Sequence, residues 1–330
     1  MFLPYIHFFR ALAILFIVTG HAIDAFAWPD NDDVERILRI FFSNGSTLFI
    51  FIAGYLFQHL SVKYETKKYY ITKFKNVIVP YLLVSIPAII VFTTLMQRTN
   101  VADDFYENPV WKQVLLFYLT GYHLAPLWFV PMITIFYVFA PVFVRLDRNG
   151  VLYYLLPVFV VVSVLVQRGS PDQSFVHFLS VYVLGMACSR FKTQVSDVTS
   201  RTFFLIPVLA AFMALGLVEF QLNVDPPNYW NYLQKVLASL FFLGLFCRFN
   251  NHLQSTTAHV IADTSFGVFF IHSYVLTAGK LAYEHFFHHL PTGSVVLWLL
   301  VSMATLGICV AAVLLVRKLT GRYSRYLIGS

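Results

Sequence analysis

The chain has 330 residues, of which 58% are hydrophobic and only 12% charged. Soluble proteins carry roughly 25% charged residues, so the composition excludes a soluble globular fold and marks an integral membrane protein. The net charge of +7 requires no nucleic-acid partner, because most of the Lys and Arg flank apolar runs, where they set topology and meet the headgroups of the lipid bilayer.

A span must cross roughly 30 Å of hydrocarbon, which takes about 20 apolar residues. Along the chain, that criterion predicts spans at 5–26, 41–60, 77–96, 127–145, 151–167, 175–190, 202–219, 231–248, 260–281 and 294–316. The apolar stretch 111–121 is too short to cross and is expected as an interfacial or re-entrant helix. The expected fold is all-α: one domain over residues 1–330, a polytopic membrane bundle of about ten transmembrane helices. Basic residues follow the even spans, among them Lys63, Lys67, Lys68, Lys73, Lys75, Arg145, Arg148, Arg190 and Lys192. The opposite loops are acidic, with Asp30, Asp32, Asp33, Glu35, Asp103, Asp104 and Asp225. By the positive-inside rule both termini are then cytoplasmic. Ala25-Phe26-Ala27 resembles a signal-peptide cleavage site, but residues 1–9 carry no Lys or Arg and Asp24 interrupts the approach.

The first expected span, YIHFFRALAILFIVTGHAIDAF, holds the most informative residues. Arg10 and His21 are nearly three helical turns apart, so they share a face about 16 Å apart along the axis. Ionisable groups at membrane depth cost several kcal/mol and mark functional sites by default. His21 can serve as a general base, with Asp24 one turn further on to orient its ring; alternatively His21 packs quietly and Asp24 sits at headgroup level. Arg10 suits a phosphate or carboxylate partner in fixed geometry, or it snorkels to the interface. Lys73 and Lys75 stand at the start of the third span, where they either set topology or meet a phosphate group.

In the ninth span, IADTSFGVFFIHSYVL, Ser265 and His272 share a face, but about 10 Å of axial separation forbids direct contact. His272 is expected to face the same cavity as the first span. His285, His288 and His289 are expected in a solvated outer loop. Cys188, Cys247 and Cys309 have no neighbours at metal-ligand spacing, so neither a disulfide framework nor a metal site is expected.

Taken in order, these segments resemble the acyltransferase-3 family of integral membrane acyltransferases. Arg10 and His21 match its first-helix signature. STLFIFIAGYLF looks like its second-helix block, with Ala53-Gly54-Tyr55 where a Ser-Gly-Phe is usual. KFKNVIVPYLL looks like its basic loop, with Lys73 and Lys75 near the place of an arginine pair. PLWFVPMITIFYVFAPVF, containing Trp128, and SFGVFFIHSYVL complete the pattern. The resemblance implies acyl transfer, commonly of acetyl, from cytoplasmic acetyl-CoA or another acyl-CoA to a sugar hydroxyl. It implies His21 as the catalytic residue, Arg10, Lys73 and Lys75 as donor contacts, and Trp128, Ser265 and His272 as pocket residues. The acceptor it implies is a glycan or lipid-linked sugar of the cell envelope or an exopolysaccharide, met in a bacterial inner membrane beside the polysaccharide-synthesis machinery. Succinyl is the alternative acyl group. A glycan exporter or flippase is the alternative function, since a polar stripe among kinked spans also suits transport.

Overall fold

Pro4 opens the first helix, at the one position where a missing N–H costs nothing. In the computed structural model, which describes residues 3–30, 32–99, 101–224, 226 and 228–330, α1 runs Pro4–Ala22 and tightens into a 3-10 turn at Ile23–Ala25. Asp32 caps the amphipathic α2 (Asp33–Phe42) by accepting from the N–H groups of Val34 and Glu35. Then follow α3 (Ser46–Leu60) and α4 (Thr66–Lys73), the latter joined by a π-helical stretch Phe74–Ile78 to α5 (Val79–Thr94). α6 (Val110–Thr120) is the short helix expected at 111–121.

α7 (Phe129–Val138) and α8 (Ala140–Asn149) meet at a bend of 55°. Pro141 explains it, since proline has no N–H and its ring collides with the carbonyl four residues back. Next come α9 (Val151–Tyr154), α10 (Leu156–Leu165), α11 (Pro171–Arg190) and α12 (Lys192–Thr199), with a turn of 97° between the last two. The remainder is α13 (Thr202–Gln221), α14 (Tyr229–Arg248), α15 (Thr256–Phe287), α16 (Val295–Thr320) and α17 (Ser324–Ile328). No strand occurs among the described residues, only an isolated bridge between Ala27 and Thr292. Asp225, one of the acidic loop residues, lies outside the described residues. α15 extends to Phe287, so His285 is helical, and the outer loop starts at His288, which ends the helix at φ 59°.

Among the described residues, seven helices are long and apolar enough to cross a membrane, or up to nine if each bent pair is one span. The all-α polytopic bundle is therefore the fold. The expected span at 151–167 is shorter than a standard crossing: Pro157 restarts the helix as α10, whose 10 residues cover about 15 Å. Side-chain contacts nevertheless show the chain passing from one end of the bundle to the other here. Ser61, Asp147 and Arg190 meet at one end, with Ser61 Oγ donating to Asp147 Oδ2 (3.4 Å) and Arg190 Nη1 to Asp147 Oδ1 (3.1 Å). At the other end, Arg168 Nη1 donates to Asn44 Oδ1 at 2.8 Å. Residues 148–167 connect Asp147 at the first end to Arg168 at the second.

The same contacts fix helix directions. α3 and α11 run parallel, since Asn44 meets Arg168 at one end and Ser61 shares Asp147 with Arg190 at the other. α1 is antiparallel to α3, with Tyr5 bonded to Tyr55 (2.7 Å) and the Phe9 and Phe51 rings 6.0 Å apart. α3 and α11 touch backbone to backbone. A Cβ on Gly54 would stand 2.0 Å from the Tyr182 carbonyl oxygen, and one on Gly185 would stand 2.1 Å from that of Phe51. Small residues permit this close approach, the usual basis of helix association in lipid. The end holding Asp147 also holds Lys63, Lys67, Lys68, Arg145, Arg148 and Lys192, most of them on α4, α8 and α12. It is the basic end of the bundle.

Candidate functional site

α1 and α15 are parallel neighbours, and that pairing brings the expected residues together in two storeys. At the basic end, Arg10 Nη2 donates to Ser265 Oγ at 3.0 Å. His7 Nε2 lies 3.8 Å from Asp263 Oδ1, and Arg317 Nη2 donates to the Asp263 carbonyl at 2.6 Å. Toward the other end, the rings of His21 and His272 lie 5.3 Å apart, tilted by 40°. Ser265 and His272 thus sit on one face without touching, each answered by a residue of α1.

The His272 tautomer follows from its contacts. Its Nδ1 is 3.0 Å from the Val268 carbonyl oxygen and 2.9 Å from that of Phe269. Carbonyls only accept, so Nδ1 carries the proton and, in the neutral ring, Nε2 presents a lone pair. That Nε2 is buried and has no hydrogen-bond partner. His21 likewise makes no side-chain hydrogen bond among the described residues. It lines a cavity of about 260 Å³ with Asp24, Asn44, Trp128, Arg168 and Phe269 among its walls. Buried polar groups are nearly always satisfied, and an exception calls for a ligand or a chemical role. Here His21 lines the cavity, and His272, which does not line it, lies directly behind the His21 ring.

Asp24 plays a different part from the one its spacing predicts. It lines the same cavity, but its carboxylate accepts from Arg39 Nη1 at 2.9 Å, and it is 61% exposed. The 3-10 turn at Ile23–Ala25 lifts it to the end of the bundle, where α2 supplies Arg39. The residue set against the His21 ring is His272. Trp128, at the start of α7, is brought to the cavity, its ring lying between the guanidinium of Arg168 (4.6 Å) and the ring of Phe178 (6.0 Å). Arg10 and Ser265 do not line this cavity. Lys73 and Lys75 part company: Lys73 Nζ lies over the rings of Tyr137 (4.6 Å) and Tyr69 (5.4 Å), whereas Lys75 is exposed. Residues two apart on a helix point to nearly opposite sides.

Arg168 is the cavity residue that sequence reading passes over. It lies in the loop between α10 and α11. Burial pulls its guanidinium below the ordinary arginine pKa, opposed by Tyr122. One signal in the sequence pointed to it: arginines are scarce on the non-cytoplasmic side, and Arg39 and Arg168 both fall among the acidic loops.

No curated protein and no solved structure matches the chain. The family model for an acyltransferase domain matches residues 3–314, nearly the whole chain, and so takes in both storeys of the α1–α15 pair. The chain belongs to the acyltransferase-3 family and is a multi-pass membrane acyltransferase.

Proposed function

We propose that this acyltransferase moves an acyl group, acetyl in the simplest case, from cytoplasmic acyl-CoA to a sugar hydroxyl of a cell-envelope or secreted glycan, working in a bacterial inner membrane. The observation that carries the reading is His21, lining a cavity at the end of the bundle opposite the basic loops and backed by the ring of His272. The basic end is taken as cytoplasmic, where its Lys and Arg attract anionic CoA. The polysaccharide-synthesis machinery would supply the acceptor at the other face.

In the transfer step, a ring nitrogen of His21 takes the proton of the sugar hydroxyl while the hydroxyl oxygen attacks the thioester carbonyl carbon. The carbon–sulfur bond then breaks, and the departing CoA thiolate recovers the proton from the imidazolium. His272, fixed by its Nδ1 bonds with its ring 5.3 Å from that of His21, has an unpartnered Nε2 lone pair to offer the imidazolium as it forms. A cavity of about 260 Å³ lies below the roughly 300–1,000 Å³ of pockets for drug-sized ligands. It admits the reacting tips of two substrates and leaves the nucleotide of CoA at the basic end. The donor contacts there have unequal parts. Lys75 is free to meet phosphates, Lys73 is engaged with tyrosine rings, and Arg10 with Ser265 stands on the route from that end to His21.

Membrane vesicles of defined orientation test the direction. Inside-out vesicles should consume added acetyl-CoA and form sugar esters, and right-side-out vesicles should not. Equal use of donor from both faces would overturn the path. A deletion strain that retains its glycan inside, instead of secreting it without esters, would favour export.

A further inference from the structure

Arg168 is a cation held in place with no acid paired to it among the described residues. Its guanidinium lies 4.6 Å over the Trp128 ring and gives one hydrogen bond, to Asn44 Oδ1. Asn44 is itself fastened. Its backbone sits at φ 58°, a region that Asn tolerates better than most residues, and its Nδ2 donates to Asn231 Oδ1 at 2.7 Å. Asn231 is fully buried and donates to Glu219 Oε2 at 3.2 Å. Glu219 is engaged away from Arg168: it accepts from Asn228 and Asn231 and interacts electrostatically with Lys235, which is fully buried in the same network and donates to the carbonyls of Ile40 and Phe41. Neutral asparagines stand between that balanced interior and Arg168.

The other arginine on the cavity is cancelled. Arg39 is paired with Asp24 (2.9 Å) and Glu35 (2.7 Å). Arg168 has no such pair among the described residues. A guanidinium has five N–H donors in a planar fork, and only one is committed among the described residues. The start of α3 adds to the same field, since Gly45 and Ser46 line the cavity and a helix N-terminus favours negative charge. A stacked, pre-oriented fork with its free edge on a cavity is the arrangement that takes a carboxylate or phosphate in bidentate fashion.

We infer that Arg168 binds an anionic group on the acceptor, so that the acceptor is an acidic sugar, one bearing a carboxylate or a phosphate. The inference rests on the sugar-acylation reading above and narrows its substrate class. Arg168 lies at the end opposite the basic loops, beside His21. An acid group docked there carries the sugar's hydroxyls to the base and offsets the positive charge that His21 acquires when it takes the proton.

Binding and transfer are to be measured separately on the full chain in lipid nanodiscs. Tryptophan fluorescence, with Trp128 stacked beneath Arg168 as a local reporter, is titrated with glucose, glucose 6-phosphate, glucuronate and N-acetylneuraminate. At least one acidic sugar should bind about tenfold or more tightly than glucose. Arg168→Gln should erase that preference, and Arg168→Lys should keep part of it. Equal affinity for glucose and all three acidic sugars, or a preference that survives Arg168→Gln, would overturn the inference. Should Arg168→Gln not fold, the wild-type series and Asn44→Ala, which frees the guanidinium from its anchor, decide instead: Asn44→Ala should narrow the preference. Acetyl transfer from acetyl-CoA to the same sugars tests the underlying reading. Transfer without acid preference keeps that reading and removes the inference, while acid-selective binding without any transfer does the reverse.

Discussion

The two storeys of the α1–α15 pair are built from similar residues and differ in what is left unsatisfied. At the basic end, Arg10 is bonded to Ser265 and shares the field of Asp263, which also faces His7 and accepts from Arg317 through its carbonyl. The polar groups there largely answer one another. At the far end, among the described residues, His272 Nε2 has no partner, His21 faces a cavity, and Arg168 has no paired carboxylate. Burying polar groups without partners costs about 1–3 kcal/mol each. A membrane bundle holds such groups where a substrate will complete them. The contrast therefore separates a storey whose polar groups are satisfied within the protein from one whose groups are open to a ligand.

The sharpest way to break that contrast is to remove the base. His21→Ala should lower acyl transfer by about 10²- to 10⁴-fold, the usual range for a lost general base. The protein should still insert and unfold at an unchanged temperature, because His21 holds no hydrogen bond whose loss would be felt. Single-turnover transfer measured on purified protein checks this, and near-normal ester formation would strip His21 of its role. Next in size is His272→Phe, which keeps a ring and deletes the Nε2 acceptor. Losing one buried hydrogen-bond acceptor for the base should cost about 10- to 100-fold in kcat. His272→Gln, whose amide oxygen can still accept, should recover part of the rate. If Phe and Gln behave alike, His272 merely fills space.

Arg10 tests the other storey. It lies away from the cavity, on the proposed route of the donor to His21, so its substitution should weaken donor use more than it slows chemistry. Arg10→Ala should raise the KM for acetyl-CoA by about tenfold, the scale of one charge-assisted hydrogen bond, and Arg10→Lys by less, since Lys keeps the charge without the planar fork. Ser265→Ala should reproduce a fraction of the effect and add little to Arg10→Ala, because the two share one bond. A loss confined to kcat, with KM untouched, would move Arg10 to the storey of His21.

Much of this architecture was legible because membrane physics writes it in simple terms. Length and apolarity located the helices, and the spacing of Arg10 and His21 put them on one face. The spacing of Ser265 and His272 did the same for the partner helix, and parallel packing then matched the two stripes. What sequence spacing could not supply was long-range choice. Asp24 has the right offset to serve His21, yet Arg39, fifteen residues away, takes its carboxylate. Arg168 reads as an ordinary loop residue until Asn44 and Trp128 are seen to hold it. Lys73 and Lys75 look like a pair until the helix turns them apart. Gly54 matches a family block in sequence, but its necessity appears only when Tyr182 of α11 lies against it.

The smallest expected effect is the one that separates the two histidine arrangements. A carboxylate that orients a histidine base is costly to lose, as in hydrolase triads where its amide replacement disables the histidine. Asp24 does not stand in that relation to His21: it is 61% exposed and paired with Arg39 at the end of the bundle. Exposed ion pairs contribute about 0–1 kcal/mol, and Arg39 retains Glu35 when Asp24 is neutralised. Asp24→Asn should therefore change acyl transfer by less than about threefold and stability by less than about 1 kcal/mol, with the residual effect shrinking in high salt as surface charge is screened. The comparison with His272→Phe is the decisive one, measured on the same preparation with the same sugar. If Asp24→Asn is the more damaging of the two, the carboxylate reaches His21 when substrate is bound, and the base is oriented across the mouth of the cavity instead of from α15. If His272→Phe is the more damaging, the imidazole pair is the working unit and Asp24 holds α2 in place.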